Sequence, residues 1–261
     1  MTSFGIKIVA ILAMTFDHIG KIIGQGRLLS AFPTLSMETS SQVIHLLNWS
    51  GRIAFPLFAF LLAEGFSKTS NMLKYVLRLA LFAFISEPFF YYAFTPSEPS
   101  FDGFLNYLCR FNLTNVFFTY TFSALAIYAL QNVDQKFHRK NFICFIPIIA
   151  MAAFFAEFFN SDYGAAGVFL IIALYFVKKK QKKMLIIFFW AFVVYIWGQS
   201  GYGLDWSMVS SYNILEYIFA ISACIFIWLY NFNRGNPIKW CFYIYYPAHL
   251  IIIKGLSYTL S

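Results

Sequence analysis

Charged side chains are scarce in this chain. Asp, Glu, Lys and Arg make up 11% of its 261 residues, whereas AVILMFWYC residues make up 60%. A soluble domain carries about 25% charged residues, so no water-exposed surface of ordinary composition can be assembled here. Cysteine is nearly absent: Cys109, Cys144, Cys224 and Cys241 are scattered, with no CxxC pair. That spacing excludes a zinc ribbon and a disulfide framework, and no His, Cys or carboxylate cluster has metal-ligand spacing. Internal repeats and a soluble segment are also missing. The N-terminal apolar run has no small-residue cleavage site, so it reads as a retained first span and not a removed signal peptide.

What remains is long apolar runs. A spanning helix needs about 20 mostly apolar residues. Nine stretches fit, at 5–24, 43–66, 75–95, 113–131, 142–159, 163–178, 184–198, 213–230 and 240–260. Polar loops separate some of them, at 25–42 with Pro33, at 96–111 opened by Thr95, Pro96 and Ser97, and at 198–212. The expected fold is an all-α, polytopic transmembrane bundle forming a single domain over 1–261.

The formal net charge of +8 suits membrane orientation better than nucleic acid. With the N-terminus in the cytoplasm, the inside loops hold Lys68, Lys74, Lys136, Arg139, Lys140, the run Lys178, Lys179, Lys180, Lys182 and Lys183, then Arg234 and Lys239. The outside loops hold only Arg27 and Arg110. This bias predicts N-in, C-out topology in a bacterial inner membrane. The lysine run reads as an orientation anchor, or as an attractor of anionic lipid or a polyanionic cofactor.

Ionisable residues within such runs are costly, about 2.5–3.5 kcal/mol at mid-helix on insertion scales. They therefore need a partner or a task. The first run carries Asp17-His18, with His18 roughly 16 Å beyond Lys7 at helical rise. The pair is either a structural polar contact or a general base tuned by a carboxylate. Neighbouring residues on a helix point about 100° apart, so the two need not touch.

The second run carries Arg52, with Pro56 unable to donate to its carbonyl. Arg52 is either an ion-pair partner for Asp17 or an anion clamp. The third carries Ser86-Glu87-Pro88, and the last carries Tyr243, Tyr246, Pro247 and His249, with His249 roughly 15 Å up from Lys239. Asp17, His18, Arg52, Glu87 and His249 thus fall at similar depths on four runs. A proton-coupled transporter of a small anionic solute would also need such residues, but it should show repeat symmetry, and none is seen. A purely structural assembly factor is the third reading.

Several stretches resemble the TraX family. They are Met14 to Gly20, Gly51 to Phe66, Tyr75 to Leu79 with Ile85 to Phe89, Asn115 to Thr119, Asp162-Tyr163-Gly164, and Lys239 to Tyr243 continuing through Tyr246-Pro247-Ala248-His249-Leu250. The motifs occur in order along the chain, with little to match at 165–235. The resemblance implies an inner-membrane acetyltransferase that takes acetyl-CoA from the cytoplasm and modifies an acceptor on the outer side, a pilin amino terminus in the family's namesake. The related membrane acyltransferases use an embedded His.

On that reading His18 is the base, with Asp17 orienting it and His249 as a second candidate. Arg52 and Glu87 complete the expected catalytic set. Asn115, Tyr246 and Arg52 are candidate oxyanion donors. Arg78, Lys74 and Lys239 would hold the CoA phosphates, with Arg52, Asn115, Tyr243 and Tyr246 deeper in the donor site. Direct transfer and an acetyl-His intermediate both remain open, as does the acceptor: a pilin, another peptide or a surface glycan, acylated on nitrogen or oxygen. His45 and His138 read as loop or interface residues. Lipid is the expected surrounding, and the sequence leaves the oligomeric state open.

Overall fold

The computed structural model describes residues 1–95, 99–137, 145–203, 205–236 and 239–260, with side chains omitted at 134–137 and 239–240. Pro96, Ser97, His138, Arg139, Lys140 and Cys144 lie outside the described residues, as do the side chains of Lys136 and Lys239. All regular structure among the described residues is helical.

The helices are α1 (Ser3–Ala31), α2 (Met37–Gly51), α3 (Ala54–Lys68), α4 (Met72–Phe94), α5 (Phe101–Cys109), α6 (Val116–Phe137), α7 (Phe145–Phe158), α8 (Gly164–Phe176), α9 (Lys180–Phe192), α10 (Ser211–Trp228) and α11 (Lys239–Thr259). Among the described residues, four segments are long and apolar enough to cross a membrane: α2 with α3, α4, α6 to Val133, and α10. The helices α7 and α8 are shorter and apolar. Each of the nine expected stretches overlaps helix among the described residues, with 43–66 divided between α2 and α3 and 142–144 outside them; membrane length and composition distinguish the four.

Boundaries differ from expectation in three places, each for a local reason. The loop expected at 25–42 shrinks to 32–36. Gly24 takes a left-handed φ of 65° and bends α1 without ending it. Ser36 then starts α2 early by accepting a hydrogen bond from the Thr39 amide at 3.1 Å. The loop expected at 96–111 contains α5, which Ser100 caps by accepting from the Gly103 amide at 3.0 Å. The stretch expected to end at 198 closes with a π turn at Val193–Trp197.

The two prolines also behave differently. α2 ends at Gly51 and α3 restarts at Ala54, which places Pro56 in the first turn of α3, where its missing N–H costs nothing. Pro88 lies inside α4, which continues to Phe94.

The chain divides into two compact units. The first comprises residues 1–58, 92–94 and 180–261. Within it α1 and α11 run parallel: Phe4 meets Phe242, Thr15 meets Tyr245, and His18 meets His249. α2 runs antiparallel to α1, and glycines permit the close approach. A Cβ on Gly51 would overlap the Asp17 side chain, and one on Gly20 would sit 2.5 Å from Asn48 Oδ1. Small residues serve this purpose where membrane helices must pack backbone to backbone.

One end of this unit is tied together by main-chain bonds. The Ser3 amide donates to the Asn233 carbonyl at 2.8 Å and the Phe4 amide to that of Arg234 at 3.2 Å. Lys180 closes the end of α10 by donating to the Trp228 carbonyl at 2.7 Å and the Tyr230 carbonyl at 3.1 Å.

The second unit comprises residues 59–91 and 95–179. Its core packs α6 against α7 and α8. Phe122 stacks on Phe155 and Phe159, and Thr119 donates to Ser161 Oγ at 3.1 Å. The α7–α8 turn needs left-handed backbone at Asn160 (φ 54°) and Tyr163 (φ 64°). Glu157 Oε1 secures it by accepting from the Ala165 amide at 2.7 Å.

Candidate functional site

In the first unit, α1 and α11 bring two histidines into direct contact. His18 Nδ1 and His249 Nε2 lie 2.7 Å apart, and the rings are nearly parallel, with an 11° interplanar angle and centroids 5.0 Å apart. Both residues are buried, at 7% and 4% exposure. His249 Nδ1 lies 2.9 Å from the Tyr245 carbonyl oxygen.

That carbonyl can only accept, so it fixes the protons along the pair. His249 must carry its hydrogen on Nδ1, which leaves Nε2 bare when the ring is neutral. His249 Nε2 therefore accepts from His18 Nδ1–H. The lone pair of neutral His18 then resides on Nε2, which makes no hydrogen bond among the described residues. A carbonyl-oriented imidazole thus holds a second imidazole in the tautomer a general base requires, the arrangement that a carboxylate provides in a catalytic triad.

Aromatic rings wall the pair. Tyr245 stacks on His249 with an interplanar angle of 5°. Tyr246 meets both imidazoles edge-on, and Phe94 meets His18 edge-on at 5.3 Å. The Thr15 hydroxyl is 2.7 Å from the Ile11 carbonyl and spends its proton there, so the Tyr245 hydroxyl donates to Thr15 Oγ1 at 2.7 Å. This bond fixes the helix turn whose carbonyl orients His249.

Asp17 faces elsewhere. It pairs with Lys21 at 2.6 Å and lies 3.9 Å from Arg52 Nη2. The structure shows no Asp17–His18 bond; the imidazole of His249 occupies the orienting position expected of the carboxylate. Arg52 donates from Nε to Glu216 Oε1 at 2.9 Å. The result is a charge-balanced chain, Lys21–Asp17–Arg52–Glu216, that joins α1, the α2–α3 break and α10.

Glu87 and Asn115 come together in the second unit. The Glu87 carboxylate accepts from the Thr114 amide at 2.7 Å and the Asn115 amide at 3.2 Å. It also accepts from the Tyr107 hydroxyl and the Asn115 side-chain amide. Asn115 Nδ2 donates in addition to the Ala83 carbonyl at 2.8 Å, and its Oδ1 accepts from the Phe117 amide at 3.0 Å. Burial first, and then the Glu87 charge, push the Tyr107 hydroxyl well above the ordinary phenol range, so it stays a donor. This cluster ties α4 to α5 and the start of α6.

Of the basic residues expected to hold phosphates, Lys74 is exposed and Arg78 lies over the Tyr75 ring at 5.2 Å, both in the second unit. Lys239 opens α11 in the first unit, and Tyr243 is half-buried one turn later. Lys7 lies over the Phe242 ring at 5.0 Å. α1 carries Lys7 in its second turn and α11 opens on Lys239, with the histidine pair further along both helices. Among the described residues no group of three or more His, Cys, Asp or Glu could hold a metal.

Sequence reasoning missed Glu216, Lys21, Tyr245, Thr15, Tyr107 and Thr114. Glu216 was findable, because a lone acid inside the apolar run 213–230 meets the criterion that selected Glu87. The others gain meaning only from long-range pairing.

An all-helical chain with membrane-length apolar helices and a buried histidine pair defines a class of integral membrane protein. The chain belongs to the TraX family: the model of that family, described as TraX protein, matches residues 4–257. It is also similar to the probable fimbrial assembly protein FimC, serogroup H1, of Dichelobacter nodosus. The two are 33% identical over 128 residues, which is 48% of this chain and 45% of that relative. The match thus spans under half of that relative's length. No solved structure matches.

Proposed function

We propose that this chain is a membrane acetyltransferase that moves an acetyl group from cytoplasmic acetyl-CoA to an amine or hydroxyl acceptor on the outer side of the bacterial inner membrane. It crosses that membrane nine times, N-in and C-out, and acts in pilus or fimbrial assembly. The observation that carries the chemistry is the histidine pair, whose hydrogen bonds direct the lone pair of His18 Nε2 away from His249. The family and the fimbrial name of the relative support the setting. The parallel run of α1 and α11 from one basic end supports donor entry from the side of Lys7 and Lys239.

In the reaction the acceptor's N–H or O–H gives its proton to His18 Nε2 as the acceptor attacks the thioester carbon. His249 Nε2 keeps its bond to His18 Nδ1–H and steadies the imidazolium. The carbon–sulfur bond then breaks, and the departing CoA sulfur takes the proton from His18. General base catalysis of this kind contributes typically 10²–10⁴-fold. We assign Tyr246, whose ring is edge-on to both imidazoles, as donor to the developing oxyanion. Arg52 and Glu216 hold helices together, and Glu87 holds α4, α5 and α6. An acetyl-His18 route uses the same nitrogen as nucleophile.

The test is acetyl transfer or thioester hydrolysis from radiolabelled acetyl-CoA by purified, detergent-solubilised protein, wild type against His18→Ala at matched folding. Turnover by wild type that the variant loses is the expected result. Turnover equal in both removes His18 from its role. Absence of CoA binding in both overturns the reading in favour of proton-coupled transport.

A further inference from the structure

In the second unit, α6 and α7 leave an open groove of about 310 Å³ between them. Its lining is wholly apolar and comes from residues 122–129 of α6 and 147–155 of α7. Ala126 and Ala152, both buried, form the floor. Leu125 (45% exposed), Met151 (60%) and Phe155 (38%) stand along the rim. Small residues ordinarily let membrane helices close on one another. Here the larger residues beside the alanines stand outward, and the space above the floor stays open from the side.

The groove has a defined course. Its lining extends roughly 10–12 Å along each helix at helical rise. One end is closed by Phe122, which stacks on Phe155 at 6.3 Å and on Phe159 at 5.9 Å between ring centroids. The other end begins at Pro147. Just before it, Phe145 stacks on Phe176 at 6.3 Å, which seats the start of α7 beside the end of α8. At this end Gln131 Nε2 donates to the Tyr175 hydroxyl at 2.5 Å, a polar contact where the apolar run of α6 stops. Phe122 precedes Gln131 by nine residues, roughly 14 Å at helical rise. One leaflet's hydrocarbon is about 15 Å deep, half of the bilayer core. The groove therefore runs through a single leaflet, from the Gln131 boundary to the midplane, which is the course of one acyl chain.

Charge indicates what the acyl chain belongs to. α8 ends at Phe176, and Lys178 and Lys179, both exposed, follow within the same unit. The open end of the groove thus lies beside two ammonium groups at headgroup level, where basic residues attract anionic lipid. A phosphodiester without an amine of its own pairs with both lysines, whereas a zwitterionic headgroup is already neutralised. An apolar helix would fill the groove but leave the lysines unused.

We propose that the α6–α7 groove holds one acyl chain of an anionic phospholipid whose phosphate pairs with Lys178 and Lys179. The site belongs to the second unit, not to the histidine pair, and does not depend on acetyl transfer.

The test is native mass spectrometry of the purified protein in detergent, titrated with phosphatidylglycerol, lysophosphatidylglycerol and phosphatidylcholine of one chain length. Ala129→Phe fills the groove from a half-buried position in its lining. Ala150→Phe makes the same change at an exposed position of α7 outside the lining. A third variant combines Lys178→Gln with Lys179→Gln. Wild type should bind both glycerol lipids at least about tenfold more tightly than phosphatidylcholine. Ala129→Phe should weaken phosphatidylglycerol binding about tenfold by taking the acyl chain's contacts, and Ala150→Phe should leave it unchanged. The lysine variant should bind phosphatidylglycerol no more tightly than phosphatidylcholine. Equal binding of the two headgroups by wild type, a preference that survives the lysine change, or binding lost equally in both Ala→Phe variants would each overturn the proposal. So would a dimer, free of lipid, that Ala129→Phe dissociates, since the groove would then belong to a second copy of the chain. The lysine variant alters only exposed side chains, so the headgroup preference decides the matter even where Ala129→Phe does not fold.

Discussion

The two units of this protein each bury ionisable residues within apolar helices, but they treat them differently. In the second unit, Glu87 is saturated: two backbone amides and the side chains of Tyr107, Thr114 and Asn115 surround one carboxylate within hydrogen-bond reach. In the first, His18 has a single hydrogen-bond partner among the described residues, and that partner is itself held by a main-chain carbonyl. A carboxylate with every lone pair engaged fixes structure. An imidazole held by one nitrogen, with the other directed elsewhere, is equipped for proton transfer. Intramembrane polarity thus marks a place that needs explaining, and the number of uncommitted lone pairs indicates whether the explanation is structural or chemical.

The largest effect should come from the least committed group. His18→Ala should lower acetyl transfer by about 10²–10⁴-fold in protein that remains folded, read by radiolabel turnover at matched thermal stability. The ion chain should follow. Glu216→Leu leaves the Arg52 guanidinium without its 2.9 Å partner and should cost up to about 3–5 kcal/mol, the range for breaking a buried pair; denaturant unfolding in detergent measures it. The paired replacement Arg52→Met with Glu216→Leu should recover much of that loss, and failure to recover would give the pair a role beyond holding helices.

Glu87→Gln turns an acceptor-only group into one that also presents N–H to the Thr114 and Asn115 amides. It should cost about 1–3 kcal/mol and leave turnover per folded molecule unchanged. Gly51→Ala drives a methyl into Asp17 and should cost about 1–3 kcal/mol by overpacking. The Lys68–Glu64 pair, at 3.2 Å with Lys68 54% and Glu64 14% exposed, sets the lower bound. Lys68→Ala should change stability by less than about 1 kcal/mol.

Much of the fold is visible in the apolar runs, because each of the nine stretches overlaps helix among the described residues and hydrophobic runs report helices reliably in lipid. The errors lie at ends. Gly24 reads as a stop but only bends α1, since tertiary contacts with α2 continue past it: Gln25 donates to the Met37 carbonyl at 2.9 Å. Helix α5 escaped because nine residues fall far short of a span, although Ser100 is an ordinary cap. The site was legible by residue type and not by pairing. His18 and His249 are conspicuous polar residues in apolar runs, yet nothing in their neighbourhoods says that they meet. Asp17, adjacent in sequence, was the natural partner for His18, but the 100° turn between neighbours sends it to Arg52.

The central claim is that His249 positions His18 while Glu87 only builds structure. It is tested most directly by acetyl-CoA turnover and its pH profile in His249→Gln, His249→Phe and Glu87→Gln at equal folded concentration. Gln keeps an acceptor for His18 Nδ1–H, so His249→Gln should retain part of the turnover with a displaced pH profile, His249→Phe should lose nearly all of it, and Glu87→Gln should match wild type. Full activity in His249→Phe, or its loss in Glu87→Gln with folding intact, would contradict the account.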